Sequence, residues 1–302
     1  MLDGNLLVDA HVHAARLPTL KVRRAQWVLE KGPNVDILAL YDDTGTLDPE
    51  RFDAFLESEG VDCALLLAEY SPRVTGIQPI EDLVPLARQN PVRIRLVANV
   101  NPHVHYPIRE ELDRQLDLGA VAMKLHPVPG NFPANARELY PAYAACEARG
   151  VPVVVHCGTS FFPGATNRFA DPAYLEDVVR DFPRLTVLLA HGGRGWWYEA
   201  AAFMTQLHEN VWIEISGLPP HRLPEYFARF DLERLARKWV FGTDWPGSPG
   251  IRANAEAVGS LGLPAETLAR VLAGNAIDLY GLGQTAARPA AGDAGTTTRR
   301  RY

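Results

Sequence analysis

Eight short apolar runs recur along the chain, at residues 6–13, 61–68, 92–100, 120–126, 151–158, 185–191, 211–216 and 239–244. Most are rich in Val, Ile and Leu and apolar at successive positions. That is the pattern of strands buried on both faces, not the in-and-out alternation of a half-solvated sheet. Amphipathic stretches lie between them, at residues 50–59, 79–90, 107–118, 136–149, 171–181, 198–209, 223–237 and 251–261. Several open on Pro, Asp or Ser and close on Gly or Asn, as helix capping favours. Gly60, Gly119 and Gly150 each stand between such a helix and the next run, where a left-handed cap residue is expected.

Strands alternating with helices imply a parallel sheet with helical crossovers. Eight such units suit a closed (β/α)₈ TIM barrel better than the alternative, an open doubly wound sheet with an extra helical layer. A single α/β domain over residues 1–285 is expected. Two segments break the rhythm. After the first strand comes a long insertion, residues 14–49, with a helical look at 20–31; a connection of that length is usually functional. The tail, residues 286–302, is built from Ala, Gly, Thr and Arg with almost nothing to bury, and is expected to be disordered.

Composition narrows the function. The 302 residues are 47% apolar and 22% charged, ordinary for a globular chain. Thirty Lys and Arg against 36 Asp and Glu leave a net charge of −6, with no field to draw nucleic acid or an anionic membrane. Cys63, Cys146 and Cys157 make no disulfide framework, which favours a reducing compartment. No apolar run approaches the ~20 residues of a spanning helix, and the opening MLDGNLLVDAHVH carries no secretory signal. A cytoplasmic protein acting on a small molecule is expected. No G-x-S-x-G, P-loop or post-strand G-x-G-x-x-G is present, which sets aside serine hydrolases, nucleotide hydrolases and dinucleotide oxidoreductases.

Polar residues collect at the ends of the expected strands. The first ends in Asp9-Ala10-His11-Val12-His13 and the fourth in Lys124-Leu125-His126. The fifth ends at His156, the sixth at His191 and the eighth at Asp244. Barrel active sites form at that carboxyl end, so these groups converge on one mouth. Two-residue spacing on a strand puts His11 and His13 on one face, where both imidazoles can approach one cation. His156 and Asp244 would complete a mixed nitrogen and oxygen shell suited to Zn²⁺, Mn²⁺ or Fe²⁺, with Zn²⁺ expected first. His103, His105, His208 and His221 read as ordinary hydrogen-bonded histidines. Cys157 follows His156 directly, so strand alternation turns it away from the pocket. Arg194, beside Trp196 and Trp197, is a candidate clamp for a substrate carboxylate. Trp245 is expected at the aromatic rim, and Lys124 and His126 are expected to contact substrate. The insertion carries Arg23, Arg24 and Trp27, which could lid the mouth.

The motifs VDAHVH (8–13), MKLHP (123–127), VVVHCG (153–158), LLAHGG (188–193), FGTDWP (241–246) and GNAIDLYGL (274–282) together resemble the amidohydrolase superfamily, in particular its amidohydrolase-2 branch. The resemblance covers about residues 5–283. It implies one divalent metal held by His11, His13, His156 and Asp244, with His191 beside it as an acid, base or polarising group. It implies a hydrolase acting on a lactone, ester or amide through a metal-activated water, with Asp244 as base. The alternative it carries is a non-oxidative decarboxylase of a small unsaturated or aromatic acid. It also leaves open a carboxylated Lys124 bridging two metals, and a homodimer. A barrel that has lost catalysis and serves only to bind is a third reading, disfavoured because every expected strand-end residue is present.

Overall fold

The computed structural model describes residues 4–30, 37–248 and 250–285; the tail expected to be disordered, residues 286–302, lies outside the described residues. Among the described residues ten strands occur in chain order: β1 (Val8–Val12), β2 (Cys63–Leu67), β3 (Glu69–Ser71), β4 (Gly76–Gln78), β5 (Ile94–Asn99), β6 (Ala120–Leu125), β7 (Val153–Gly158), β8 (Val187–Arg194), β9 (Val211–Glu214) and β10 (Trp239–Val240). Eight of them form one parallel sheet in the order β1-β2-β5-β6-β7-β8-β9-β10. The chain therefore wraps once, each strand beside its predecessor, as the alternating pattern requires.

The seam between the last strand and the first is closed by backbone hydrogen bonds. Ala10 N–H donates to Phe241 O (3.1 Å), Asp244 N–H to His11 O (3.0 Å) and His13 N–H to Trp245 O (2.9 Å). Ladder pairing in β10 covers only Trp239 and Val240, so the expected run 239–244 continues as extended chain along the seam. The Asp9 carboxylate reinforces the closure by accepting from Thr243 N–H (2.9 Å), Thr243 Oγ–H (2.6 Å) and His11 N–H (3.1 Å). Burial raises Asp9 to about 7 against those hydrogen bonds. This stitching sets the end of β1 beside Asp244.

Alternate residues build two cores. Val8, Ala10, Leu65, Leu67, Val97, Ala122, Val154, Leu188, Ala190 and Val240 fill the barrel with Ala273, Ala276 and Tyr280 from the closing segment. That segment plugs the end away from the site, where Asn275 Nδ2 donates to Trp239 O (2.7 Å). The opposite strand faces pack under the outer helices in the larger core, which includes Phe52, Leu83, Leu112, Tyr143 and Val178. The expected helices are present with small shifts. The stretch 223–237 is broken into Leu223–Tyr226 and Leu232–Ala236, and a helix Val22–Glu30 occupies the insertion. Gly60, Gly119 and Gly150 take φ of 78°, 99° and 65°, the left-handed caps expected of them.

One element was not foreseen. β3 and β4 form an antiparallel hairpin directly after β2. Three-residue strands carry too little alternation to be recognised from sequence. Among the described residues no helix is long and apolar enough to cross a membrane.

Candidate active site

The strand-end residues do meet. His11 Nε2 lies 3.3 Å from His13 Nε2. Asp244 Oδ1 lies 3.6 Å from the first and 3.2 Å from the second. His191 joins the same cluster: its ligand atom and those of His11 and Asp244 all lie within 4.8 Å of one another. His156 adjoins it, with Nδ1 3.1 Å from His191 Nε2.

The other nitrogen of each ring determines what these atoms present. His11 Nδ1 is held by the Glu214 carboxylate. His191 Nδ1–H donates to Ser216 O (2.9 Å) and His156 Nε2–H to Gly158 O (2.8 Å). Carbonyl and carboxylate oxygens only accept, so these nitrogens carry the protons and the opposite nitrogens point lone pairs inward. His13 Nδ1 faces Glu69 Oε2 at 3.9 Å. Burial, helped by the Arg24 charge, lowers His13 to about 4, and burial first of all holds His156 and His191 well below the usual histidine range. Burial works to raise Asp244, but the His13 hydrogen bond and the surrounding histidines outweigh it and hold the carboxyl well below its usual range. Lone pairs and a carboxylate oxygen packed this closely repel one another unless a cation lies among them. The donor set therefore fits a divalent metal with nitrogen and oxygen ligands.

Backbone conformation aims two of these residues. His191 and Asp244 have φ of 68° and 63°, left-handed values rare for residues with a side chain and common at functional sites. Gly217, following β9, has φ of 64°; a Cβ there would lie 2.5 Å from Arg194 Nη1 and 2.8 Å from Asp244 Oδ2. Only glycine leaves that space.

A cavity of about 210 Å³ opens over the cluster, with His13, His156, His191 and Asp244 on its floor. Trp27 and Phe162 supply its apolar wall, and Arg24, Glu69, His126 and Arg194 its polar groups. His126 Nδ1 accepts from Asn99 Nδ2–H (3.1 Å), so its Nε2 carries the proton, and that atom is buried with no partner among the described residues.

Three of the residues expected to touch substrate are placed otherwise. Trp245 is 2% exposed and packs on Phe52 and Phe55, ring centroids 5.6 and 5.5 Å away, because the chain turns it beneath the rim. Lys124 is fully buried and is not among the residues that line the cavity. Burial, resisted by Glu214 and Asp244, lowers it to about 8, and its charge helps to depress His126 and His156. Arg194 does line the cavity, but its guanidinium is committed to Gly217 O (3.3 Å) and Thr159 O (3.1 Å) and faces Asp244 Oδ2 at 3.7 Å. It steadies Asp244. Cys157 is buried with its sulfur toward Ala170 O (3.2 Å), away from the cluster.

Sequence reasoning passed over Glu214, Ser216, Glu69 and Gly217. Glu214 was detectable: a carboxylate inside Val-Trp-Ile-Glu-Ile-Ser is costly to bury without a partner. Glu69 was not, because it enters through the unforeseen hairpin.

The amidohydrolase family model matches residues 8–282. No curated protein sequence matches the chain. Among solved structures, an uncharacterised TIM-barrel protein from Bordetella bronchiseptica is 20% identical with a TM-score of 0.73, covering 92% of this chain and 99% of that one. A dihydroxybenzoic acid decarboxylase from a Polaromonas species, with bound manganese and 2-nitroresorcinol as inhibitor, is 17% identical with a TM-score of 0.66 over 92% and 98% of the two chains. A probable 2-pyrone-4,6-dicarboxylic acid hydrolase from Acinetobacter baumannii, with citric acid bound, is 17% identical with a TM-score of 0.62 over 91% and 99%. At these identities the likeness is one of fold.

Proposed function

The chain belongs to the amidohydrolase family, and from that premise we propose that it is a metal-dependent hydrolase of a small lactone, ester or amide. One observation carries the reading: His11 Nε2, His13 Nε2 and Asp244 Oδ1 converge within 3.2–3.6 Å of one another, and His13 and Asp244 of that group line a cavity. His11, His13, His156 and Asp244 would hold the ion, Zn²⁺ before Mn²⁺ or Fe²⁺. Bound there, a divalent ion polarises a carbonyl and lowers the pKa of water from 15.7 to ~7.

The remaining work falls to side chains. Asp244 Oδ2, turned from the histidine pair and steadied by Arg194, accepts the proton of the attacking water and returns it to the leaving group. His191 Nε2, fixed by the Ser216 carbonyl, orients that water or the substrate oxygen. His126 Nε2–H is a free donor for a second substrate oxygen. Trp27 and Phe162 exclude solvent.

Loss of carbon dioxide from a small aromatic or unsaturated acid is the second reading. The observation favouring it is the guanidinium of Arg24 on the wall of a partly aromatic cavity, a setting for a carboxylate. The test is metal analysis of protein purified without chelator, followed by a panel of lactones, esters and carboxylic acids scored for acid release and for carbon dioxide. Acid release from a lactone or ester supports the first reading. Carbon dioxide alone moves the assignment to the second. A metal-free protein that turns over nothing overturns both.

A further inference from the structure

Arg24 sits on the insertion helix Val22–Glu30 and is 5% exposed. Its Nε is buried and has no hydrogen-bond partner among the described residues. A buried N–H donor without a partner is costly for a fold to keep. The neighbouring acids are engaged elsewhere: Glu69 accepts from Thr75 Oγ–H and faces His13, and Asp244 faces the histidines and Arg194.

The guanidinium is nevertheless held against two aromatic rings. It lies 4.3 Å above the Trp27 ring and 5.2 Å from Phe162, and those two rings meet edge to face at 5.9 Å. Stacking uses the faces of the guanidinium and leaves its edge N–H groups for a planar, two-oxygen acceptor. Trp27 is in turn seated on Gly247, where a Cβ would lie 2.6 Å from the indole. All of these groups line the cavity that also exposes His13 and Asp244.

We propose that Arg24 is the specificity-determining residue of this site, pairing with a carboxylate at the end of the substrate remote from the reacting group, so that the substrate is a small planar organic acid laid against Trp27 and Phe162. This rests on the hydrolase or decarboxylase reading above, in which a separate part of the substrate reacts over the histidines. Arg194, bound to two protein carbonyls, does not serve this purpose.

The test is equilibrium calorimetry on the full-length, metal-loaded protein with isophthalate and benzoate as probes, for wild type, Arg24→Met and Arg24→Lys, alongside metal content and Tm. Wild type should bind isophthalate at least ~10-fold more tightly than benzoate, the scale of one charge-assisted pair. Arg24→Met should abolish that preference by weakening isophthalate, and keep Tm unchanged or raise it, since it removes a buried donor without a partner. Arg24→Lys should recover only part of the preference, because the ammonium lacks the planar fork. Absence of the preference in wild type, its survival in Arg24→Met, or a Tm loss of about 5 °C or more in Arg24→Met would each overturn the inference, the last by making Arg24 structural. If the protein takes up no metal, the functional reading above fails, while the effect of Arg24 on isophthalate binding is still measured.

Discussion

Glu214 at the end of β9 holds Nδ1 of His11 from 203 residues along the chain. Ser216 Oγ–H also donates to Glu214 (2.7 Å), and Ser216 Oγ lies 3.0 Å from His11 Nδ1. Burial works to raise Glu214, but His11, Lys124 and Ser216 outweigh it and its carboxyl stays below the ordinary value. A carboxylate in that place fixes the tautomer of His11 and makes its Nε2 a better ligand. Glu214→Gln should therefore weaken metal binding by ~10–100-fold while the barrel stays folded. Competition against a chelator, with circular dichroism as control, measures this; unchanged affinity would show that Glu214 serves packing alone.

Asp244→Asn retains the shape of the side chain and removes its charge and basicity. The variant should keep a metal through the histidines and lose ~10²–10⁴-fold in turnover, the range for one acid–base group. Turnover within a few-fold of wild type, with metal bound, would transfer the role of base to His191.

Gly217→Ala tests the crowded approach of Arg194 to Asp244. The added methyl must enter a gap 2.5 Å from one side chain and 2.8 Å from the other, on backbone with φ of 64°. A stability loss of about 1–2 kcal/mol is expected from the left-handed backbone. Turnover should fall by at least ~10-fold through the displaced carboxylate. Thermal melting and steady-state rates separate the two effects, and a variant melting low but turning over normally would mean that the Arg194–Asp244 contact is dispensable.

The three cysteines should be silent. Burial pushes Cys63, Cys146 and Cys157 each up to about 12, so almost no thiolate exists near neutral pH. An aromatic disulfide reagent should titrate none of them in the native protein and all three after unfolding in guanidinium. Cys157→Ala should turn over like wild type; a large loss would reopen the question of a cysteine nucleophile.

Several elements of the fold were legible because each rests on a local rule. Parallel strands buried on both faces must be apolar at successive positions, and eight such runs separated by helices admit few arrangements. His11 and His13 shared a face for the same reason that successive strand side chains alternate. The hairpin at 69–78 escaped because three-residue strands have no period, and with it went Glu69 and Thr75. The strand-end rule also misplaced two residues. Lys124 is at the end of its strand but fully buried, outside the cavity lining, and Trp245 follows Asp244 but turns into the core beside Phe52.

The alternation, the barrel class, the family motifs and the identity of the histidines and aspartate that gather at one mouth can all be read along the chain, because each is set by neighbouring residues or by strand direction. Tertiary structure alone decided which nitrogen of each imidazole faces inward, since that depends on acceptors such as Glu214, Ser216 and Gly158. It also decided that Arg194 is bound to protein carbonyls while Arg24, on an insertion with no strand to orient it, lies over Trp27 with an Nε that has no partner among the described residues. A charge is paired or free only relative to groups brought near by folding, and no spacing along the chain records that distance.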